Sequence, residues 1–402
     1  MRNGIPANER ALVARGAGGP GGCLRRGVGG APRPARPEAS SAGLRHDLPA
    51  MSLSHLTIAN VRCIEQATLE IPPGLTLIYG PNGSGKTSIL EAAFMIGRGR
   101  SFRTRNNERL IRYGQDVLRV IGKVRSEDGI PETIGFEVTR AATTARIGGR
   151  SAESLAELSQ AFAVQVIDPG VHRLVEEGGY RRRRWLDWSV FHVEPQFVDT
   201  WLRYTRALKQ RNASLRSGAD PQLWEPELAR LGESISHSRE ELVGRLQPYW
   251  REELEALAGL PVELGYQRGW TQEHSLAEAL ESSRARDRAR AVTHSGPHRA
   301  DITLRLHGRA AREALSRGQQ KLVAVAMTVA QLRLLKELTQ IHPTLLLDDP
   351  AAELDGEYLQ RFIAQVMRLR CQLVVTSLHP ESRLFGAPER EFRVVQGRVQ
   401  PV

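Results

Sequence analysis

An α/β fold interrupted by a mostly helical insertion is what this sequence predicts, and three observations carry that expectation. Short apolar, β-like runs flank a glycine-rich turn near residue 80, and the segment after the turn reads as a helix. From about 171 to 290 the texture changes to long helical patterns. Strand-like runs then resume near Val292, one of them ending in the acids Asp348 and Asp349. At 402 residues the chain suits two lobes.

The elements follow in order. Residues 1–50 are rich in Gly, Pro, Ala and Arg, without helix or strand periodicity or the apolar core of a secretory signal. They cannot bury enough apolar surface to offset their ordering entropy. The expectation is a disordered or misassigned extension, with translation starting at Met51; a basic arm for nucleic acid is the alternative. Residues 51–170 form the first part of the nucleotide-binding lobe. Leu53 to Ile58 alternates as a half-buried strand does, and Ala67 to Ile71 reads as another. Leu75 to Tyr79 is a short buried strand, and a helix starts from Ser88 to Ile96. Val117 to Val138 is strand-like with a turn at Asp128-Gly129, Ser151 to Gln160 suits a helix, and Phe162 to Ile167 a buried strand. Residues 171–290 read as a helical lobe, clearest over Arg181 to Arg211 and Pro226 to Leu257, cut into pieces by Pro195, Pro221, Pro226, Pro248 and Pro261. Residues 291–402 complete the first lobe: a strand over Ile302 to Leu306, a helix over Gly318 to Leu338, strands over Pro343 to Leu347 and Gln372 to Thr376, and a hairpin over Phe392 to Val399.

Charge and cysteine bound the function class. The formal net charge is +11, of which residues 1–50 contribute +5 and the remainder +6, a moderate basic excess suited to polyanion contact. No apolar run approaches 18 residues, so no membrane partner is expected. Cys23, Cys63 and Cys371 lie far apart and suggest no disulfide framework, which fits a reducing cytoplasm.

The chemistry concentrates in four motifs. Gly80-Pro81-Asn82-Gly83-Ser84-Gly85-Lys86-Thr87 fits the phosphate-cradling P-loop, and its strand-turn-helix setting converges backbone N–H groups on phosphate. ATP with Mg²⁺ is the expected ligand: Lys86 neutralises the β- and γ-phosphates and Thr87 ligates the ion. Thr344 to Asp349 is a buried strand ending in carboxylates, with Asp348 beside Mg²⁺ and Asp349 polarising the attacking water. Leu315-Ser316-Arg317-Gly318-Gln319-Gln320-Lys321 opens a helix, with Ser316 as cap and Gly318 allowing close backbone approach. Lying 33 residues before Asp348 when counted from Leu315, it is similar to the signature motif of ABC-type ATPases. That likeness implies that Ser316, Gly318 and Gln319 of one subunit close on the γ-phosphate held by another. Ala352-Glu353-Leu354-Asp355 resembles the loop that couples the two sites.

With these motifs in place, residues 51–402 resemble the RecF family of bacterial recombination mediators, related to the chromosome-segregation ATPases. Further family-like stretches are Gly99 to Thr104, Asp168 to Asp187 and Ser295 to Asp301. The resemblance implies an ABC-type ATPase head with an inserted helical lobe. It also implies an ATP-dependent homodimer that binds single-stranded and gapped duplex DNA, works with RecO and RecR in loading RecA, and hydrolyses ATP slowly as a reset. The P-loop residues 80–87, Ser316, Gly318, Gln319, Asp348 and Asp349 carry over by position.

Asp349 stands where transporter-type ATPases have Glu, and its shorter side chain suits a switch better than a pump. Pro350 follows and stiffens that turn. His379 is the candidate switch histidine and Gln115 the candidate Mg²⁺-sensing glutamine. Arg181 to Arg184 either track DNA phosphates or form a solvated helix face. Trp185, Trp188, Trp201 and Trp224 read as core. Two other classes compete. A transporter subunit would place its Mg²⁺ carboxylate nearer the P-loop than the 262 positions from Lys86 to Asp348. A coiled-coil segregation ATPase needs heptads that the insertion lacks.

Overall fold

Alternation of buried and exposed residues builds the first sheet. Leu118, Val120, Gly122 and Val124 face inward while Arg119, Ile121, Lys123 and Arg125 face out. Gly122 sits in close packing, since a Cβ there would lie 3.0 Å from Leu53 and 3.2 Å from Ile96 and those side chains would have to shift. The computed structural model describes residues 51–402 except 126–129, 353, 355, 381 and 382. The expectations for residues 1–50, for the turn at Asp128-Gly129, and for Glu353 and Asp355 lie outside the described residues.

In chain order the strands and helices begin with β1 (Ser52–Val61), β2 (Ile64–Glu70), β3 (Leu75–Tyr79) and α1 (Lys86–Arg98). Then come β4 (Val117–Arg125), β5 (Pro131–Thr139), β6 (Thr143–Ile147), β7 (Arg150–Ser151), α2 (Leu155–Ala161) and β8 (Val164–Ile167). The middle holds α3 (Arg173–Glu176), α4 (Gly179–Val193), α5 (Phe197–Ser217), α6 (Glu225–Leu257), β9 (Val262–Gln267) and α7 (Leu276–Arg290). The chain ends through β10 (Asp301–Leu306), β11 (Arg309–Ala310), α8 (Ala311–Ala314), α9 (Arg317–Thr339), β12 (Thr344–Leu347) and α10 (Gly356–Arg368). Last are β13 (Leu373–Ser377), β14 (Arg390–Val395) and β15 (Arg398–Pro401).

Two large sheets result. One is antiparallel in the order β2-β1-β4-β5-β6-β7; the other runs β15-β14-β3-β13-β12-β8, parallel from β14 to β8. α1 packs between them: Ile89, Leu90, Phe94 and Ile96 share one apolar core with strands of both. The Gln372 side chain joins the two sheets. It accepts from Leu53 N (2.9 Å) and Thr344 Oγ1 (2.7 Å) and donates to the carbonyls of Leu53 (2.8 Å) and Pro72 (2.7 Å). Such full satisfaction is what allows a polar side chain to be buried.

A second core covers the other side of the parallel sheet, where α9 meets α4 and α6. Buried arginines fix the helices around it. Arg239 of α6 donates to both Asp187 oxygens (2.7 and 3.0 Å) and to Pro297 O (2.7 Å). Arg211 of α5 reaches Glu225 (2.9 Å) and Asp287 (2.8 Å).

Several elements differ from expectation for identifiable reasons. Pro248 does not break its segment, because α6 runs unbroken from Glu225 to Leu257. Pro248 and Gly244, whose carbonyl loses its partner, are both exposed, so water satisfies that group. β9 lies in the stretch read as helical, and it pairs with β10 across the expected boundary at 290/291. α10 was not anticipated, although Leu359, Phe362, Ile363 and Val366 have helical spacing. Among the described residues, no helix is long and apolar enough to cross a membrane.

Candidate nucleotide-binding site

Parallel pairing aligns the carboxyl ends of four neighbouring strands. Tyr79 pairs with Ser377, and Leu347 with both Val375 and Ile167. The P-loop leaves β3, Asp348 follows β12 and Asp168 follows β8, so all three open onto the edge where α/β sheets bind ligands.

Glycine makes the turn possible. Gly80, Gly83 and Gly85 have φ of 154°, 75° and 117°, and a Cβ on Gly80 would lie 2.1 Å from Val394 O. Gly85 caps α1 without a side-chain bond. Pro81, Asn82 and Gly83 form the exposed crest, while Ser84 is buried and its Oγ has no hydrogen-bond partner among the described residues. The Lys86 ammonium donates to Gly80 O (2.6 Å) and Pro81 O (3.1 Å), folded over the turn. Burial lowers its pKa, and Asp349 and Asp348 oppose that.

The carboxylate half meets this half directly. Thr87 Oγ1 lies 3.0 and 3.1 Å from the two Asp348 oxygens. Thr376 Oγ1 donates to Asp348 Oδ1 (2.9 Å) and accepts from Asp349 N (2.9 Å). Burial raises the Asp348 pKa, while the Thr376 and Thr87 hydroxyls and the Arg103 charge pull it down. Asp349 holds a left-handed backbone, φ 46°, immediately before Pro350. That is a costly conformation of the kind found where side chains must be aimed.

The third group stands apart. Ser316 caps α9 through a reciprocal pair: its Oγ accepts from Gln319 N (3.3 Å) and its N–H donates to Gln319 Oε1 (3.0 Å). Ser316 and Gly318 are exposed, and a Cβ on Gly318 would meet nothing within 4 Å.

Other expectations move. Gln115 is exposed in a turn that leads into β4 of the antiparallel sheet, its N–H on Arg112 O at 3.0 Å. His379 is exposed two residues past β13, its N–H on Ser377 Oγ at 3.3 Å. The run Arg181 to Arg184 is divided: Arg181 pairs with Glu177, Arg182 is buried and bidentate to Asp301 (2.8 Å twice), Arg183 donates to Ala300 O, and Arg184 donates to the Tyr180 hydroxyl (3.4 Å). Trp185 and Trp188 are core, as expected.

Sequence reasoning missed Thr376 and Asp168. Asp168 is largely buried with its pKa raised, first by burial and further by Asp348. Its signal was present, since Val164 to Ile167 runs into an acid just as Leu345 to Leu347 does. Also missed was a hollow of about 800 Å³ beside the P-loop, lined by Cys63, Arg112, Arg393 and Gly397. Gly397 N donates to Ser84 O at 2.8 Å, fixing that wall to the loop.

Comparison with known proteins points one way. The family model for the RecF/RecN/SMC N terminal domain matches residues 52–397. The DNA replication and repair protein RecF of Pseudomonas putida (strain W619) is 38% identical over 359 residues, covering 87% of this chain and 98% of that protein. Its counterpart in Shewanella baltica (strain OS155 / ATCC BAA-1091) is 39% identical over 357 residues, covering 87% and 99%. A solved structure of the recombination mediator protein RecF with ATP, in the RecFOR pathway, superposes with a TM-score of 0.79 at 25% identity, covering 89% of this chain and 99% of that one. A Pyrococcus yayanosii Smc head domain shares the fold, with a TM-score of 0.53 at 14% identity over 88% of this chain and 97% of that one.

Proposed function

Because the chain belongs to the RecF family and has its ABC-type ATPase fold, we propose that it is an ATP-switched DNA-binding protein of recombinational repair. The observation that carries this reading is the meeting of Thr87 with Asp348, 261 positions apart, behind a lysine folded over a glycine cradle.

The cradle and donors suit ATP and Mg²⁺. The positive-φ glycines leave room for a triphosphate, the buried Ser84 hydroxyl awaits a partner, and Thr87 with Asp348 is a hard oxygen pair. Mg²⁺ held by Thr87 and Asp348 would supply charge neutralisation at the β- and γ-phosphates. Lys86 exchanges the carbonyls of Gly80 and Pro81 for phosphate oxygens. Thr376 holds Asp348 in line, and Asp349 orients the attacking water. The hollow beside Cys63 and Gly397 receives the base and ribose.

Ser316 and Gly318, exposed at the start of α9, and the half-buried Gln319 close on the nucleotide of a second copy. Each site is then complete only in the dimer. The ATP-bound dimer engages single-stranded and gapped duplex DNA in the cytoplasm and acts with RecO and RecR to load RecA. Slow, DNA-dependent hydrolysis releases it.

The test uses two variants. Lys86→Ala is expected to lose ATP binding, whereas Ser316→Arg keeps ATP binding and loses ATP-dependent dimerisation. Normal dimerisation of Ser316→Arg with ATP would overturn the shared-site assignment.

A further inference from the structure

A cavity of about 410 Å³ lies at the end of α1 away from the P-loop. With a rise of about 1.5 Å per residue, the helix sets Arg98 about 18 Å from Lys86. The wall is rich in arginine: Arg98, Arg100 and Arg184, with Arg103, Arg105 and Arg181 around them and a single carboxylate, Asp168, on the side toward the nucleotide edge. It includes the Gly99 to Thr104 stretch, most of which the nucleotide site does not use.

Among the described residues, Arg98, Arg100 and Arg184 lack the carboxylate partner that other buried arginines have, whereas Arg181 pairs with Glu177. Arg182, Arg211 and Arg239 each meet a carboxylate within 3 Å. Around Arg98 the strongest charges are the like charges of Arg100 and Arg184, and for Arg100 the like charge of Arg184. Burial first, then this repulsion, pulls Arg98 far below the usual guanidinium range and Arg100 down to about 9. The Nε atoms of Arg98, Arg100 and Arg184 and the indole nitrogen of Trp185 are buried without a hydrogen-bond partner among the described residues. All four residues line the cavity.

The groups are also held in place. The Arg98 guanidinium sits between the rings of Phe94 (5.5 Å) and Trp188 (5.3 Å). Tyr180, 47% exposed, carries Arg105 at 5.1 Å and Arg184 at 5.4 Å from its ring centre. Fixed N–H donors, uncompensated positive charge and a half-exposed aromatic face together suit a phosphate ester, because guanidinium forks match phosphate oxygens. The volume admits a phosphate with about one nucleoside and excludes a duplex.

We propose that this cavity is a second phosphate-binding site, separate from the P-loop, for a phosphate group carried either by a small free molecule or by a nucleic-acid strand. The bound anion supplies the countercharge that Arg98, Arg100 and Arg184 lack among the described residues.

The test is calorimetric titration of the full chain carrying Lys86→Ala, which removes the P-loop lysine. The probes are sodium pyrophosphate and thymidine tetranucleotides with and without a terminal phosphate. The proposal expects salt-sensitive binding in this background, weakened roughly tenfold or more by Arg100→Met or Arg184→Met. Those variants should also melt higher than their parent without probe, since each relieves repulsion, so loss of binding cannot be confused with unfolding. Saturation by pyrophosphate alone supports the proposal and identifies a free ligand. Saturation by the tetranucleotides alone supports it and identifies a strand. Absence of binding by every probe, or binding that both arginine variants leave unchanged, overturns it.

Discussion

Replacing Arg239 with methionine should be among the most damaging single changes outside the nucleotide site. The side chain is fully buried and makes three hydrogen bonds of 2.7 to 3.0 Å, two to Asp187 and one to Pro297 O. Methionine fills much of the volume but leaves the Asp187 carboxylate buried and uncompensated. Removing one partner of such a pair costs about 3–5 kcal/mol. An unfolding entropy of about 2.1 cal/mol/K per residue over roughly 350 residues gives about 0.7 kcal/mol/K, so the midpoint should fall by about 4–7 °C. Scanning calorimetry of the full chain reads this directly. Adding Asp187→Leu removes the stranded charge and should recover most of the loss. A single variant that melts with the wild type, or a double variant that melts no higher than the single, would refute the reasoning.

Two further predictions rest on other features. His298 donates from Nε2 to Thr293 O (3.1 Å), so its Nδ1 accepts from the Tyr204 hydroxyl (2.7 Å) and the ring is held neutral. Burial depresses its pKa to about 4, so on acidification from the unfolded value of about 6.5 the unfolded state takes up the proton first. Stability should be unaffected by this group above that value and fall by up to about 3 kcal/mol toward pH 4; His298→Gln should lessen the loss in urea titrations across that window, and identical slopes would contradict this. Gly97→Ala sets a Cβ 2.3 Å from Phe162 O, inside the junction of α1 with β8. Overpacking of about 1–3 kcal/mol should exceed the helix-propensity gain of about 1 kcal/mol, so a urea midpoint equal to or above the wild type would sink the packing argument.

Local chemistry was legible in the sequence and long-range pairing was not. Strand, turn and helix around Gly80 to Thr87 follow from neighbours in the chain, and so does the Ser316 cap. The run Arg181 to Arg184 illustrates the limit. Read as a charge run, it suggested phosphate or solvent, yet Arg182 is committed to Asp301, 119 positions away, which no local spacing reveals. Pro248 shows the same limit, because its tolerance depends on which face of α6 is wet. Asp168 had a readable signal, an apolar strand ending in an acid, but its importance comes from β8 lying beside β12.

In the proposed function, ATP completes its site only between two copies of the chain. The most direct measurement is the light-scattering mass of the full chain with Mg²⁺, with and without ATP, for the wild type, Lys86→Ala and Ser316→Arg. Mass should double with ATP for the wild type only, with Ser316→Arg still binding ATP as a monomer. Doubling by Ser316→Arg, or a wild-type mass that ignores ATP, would contradict it.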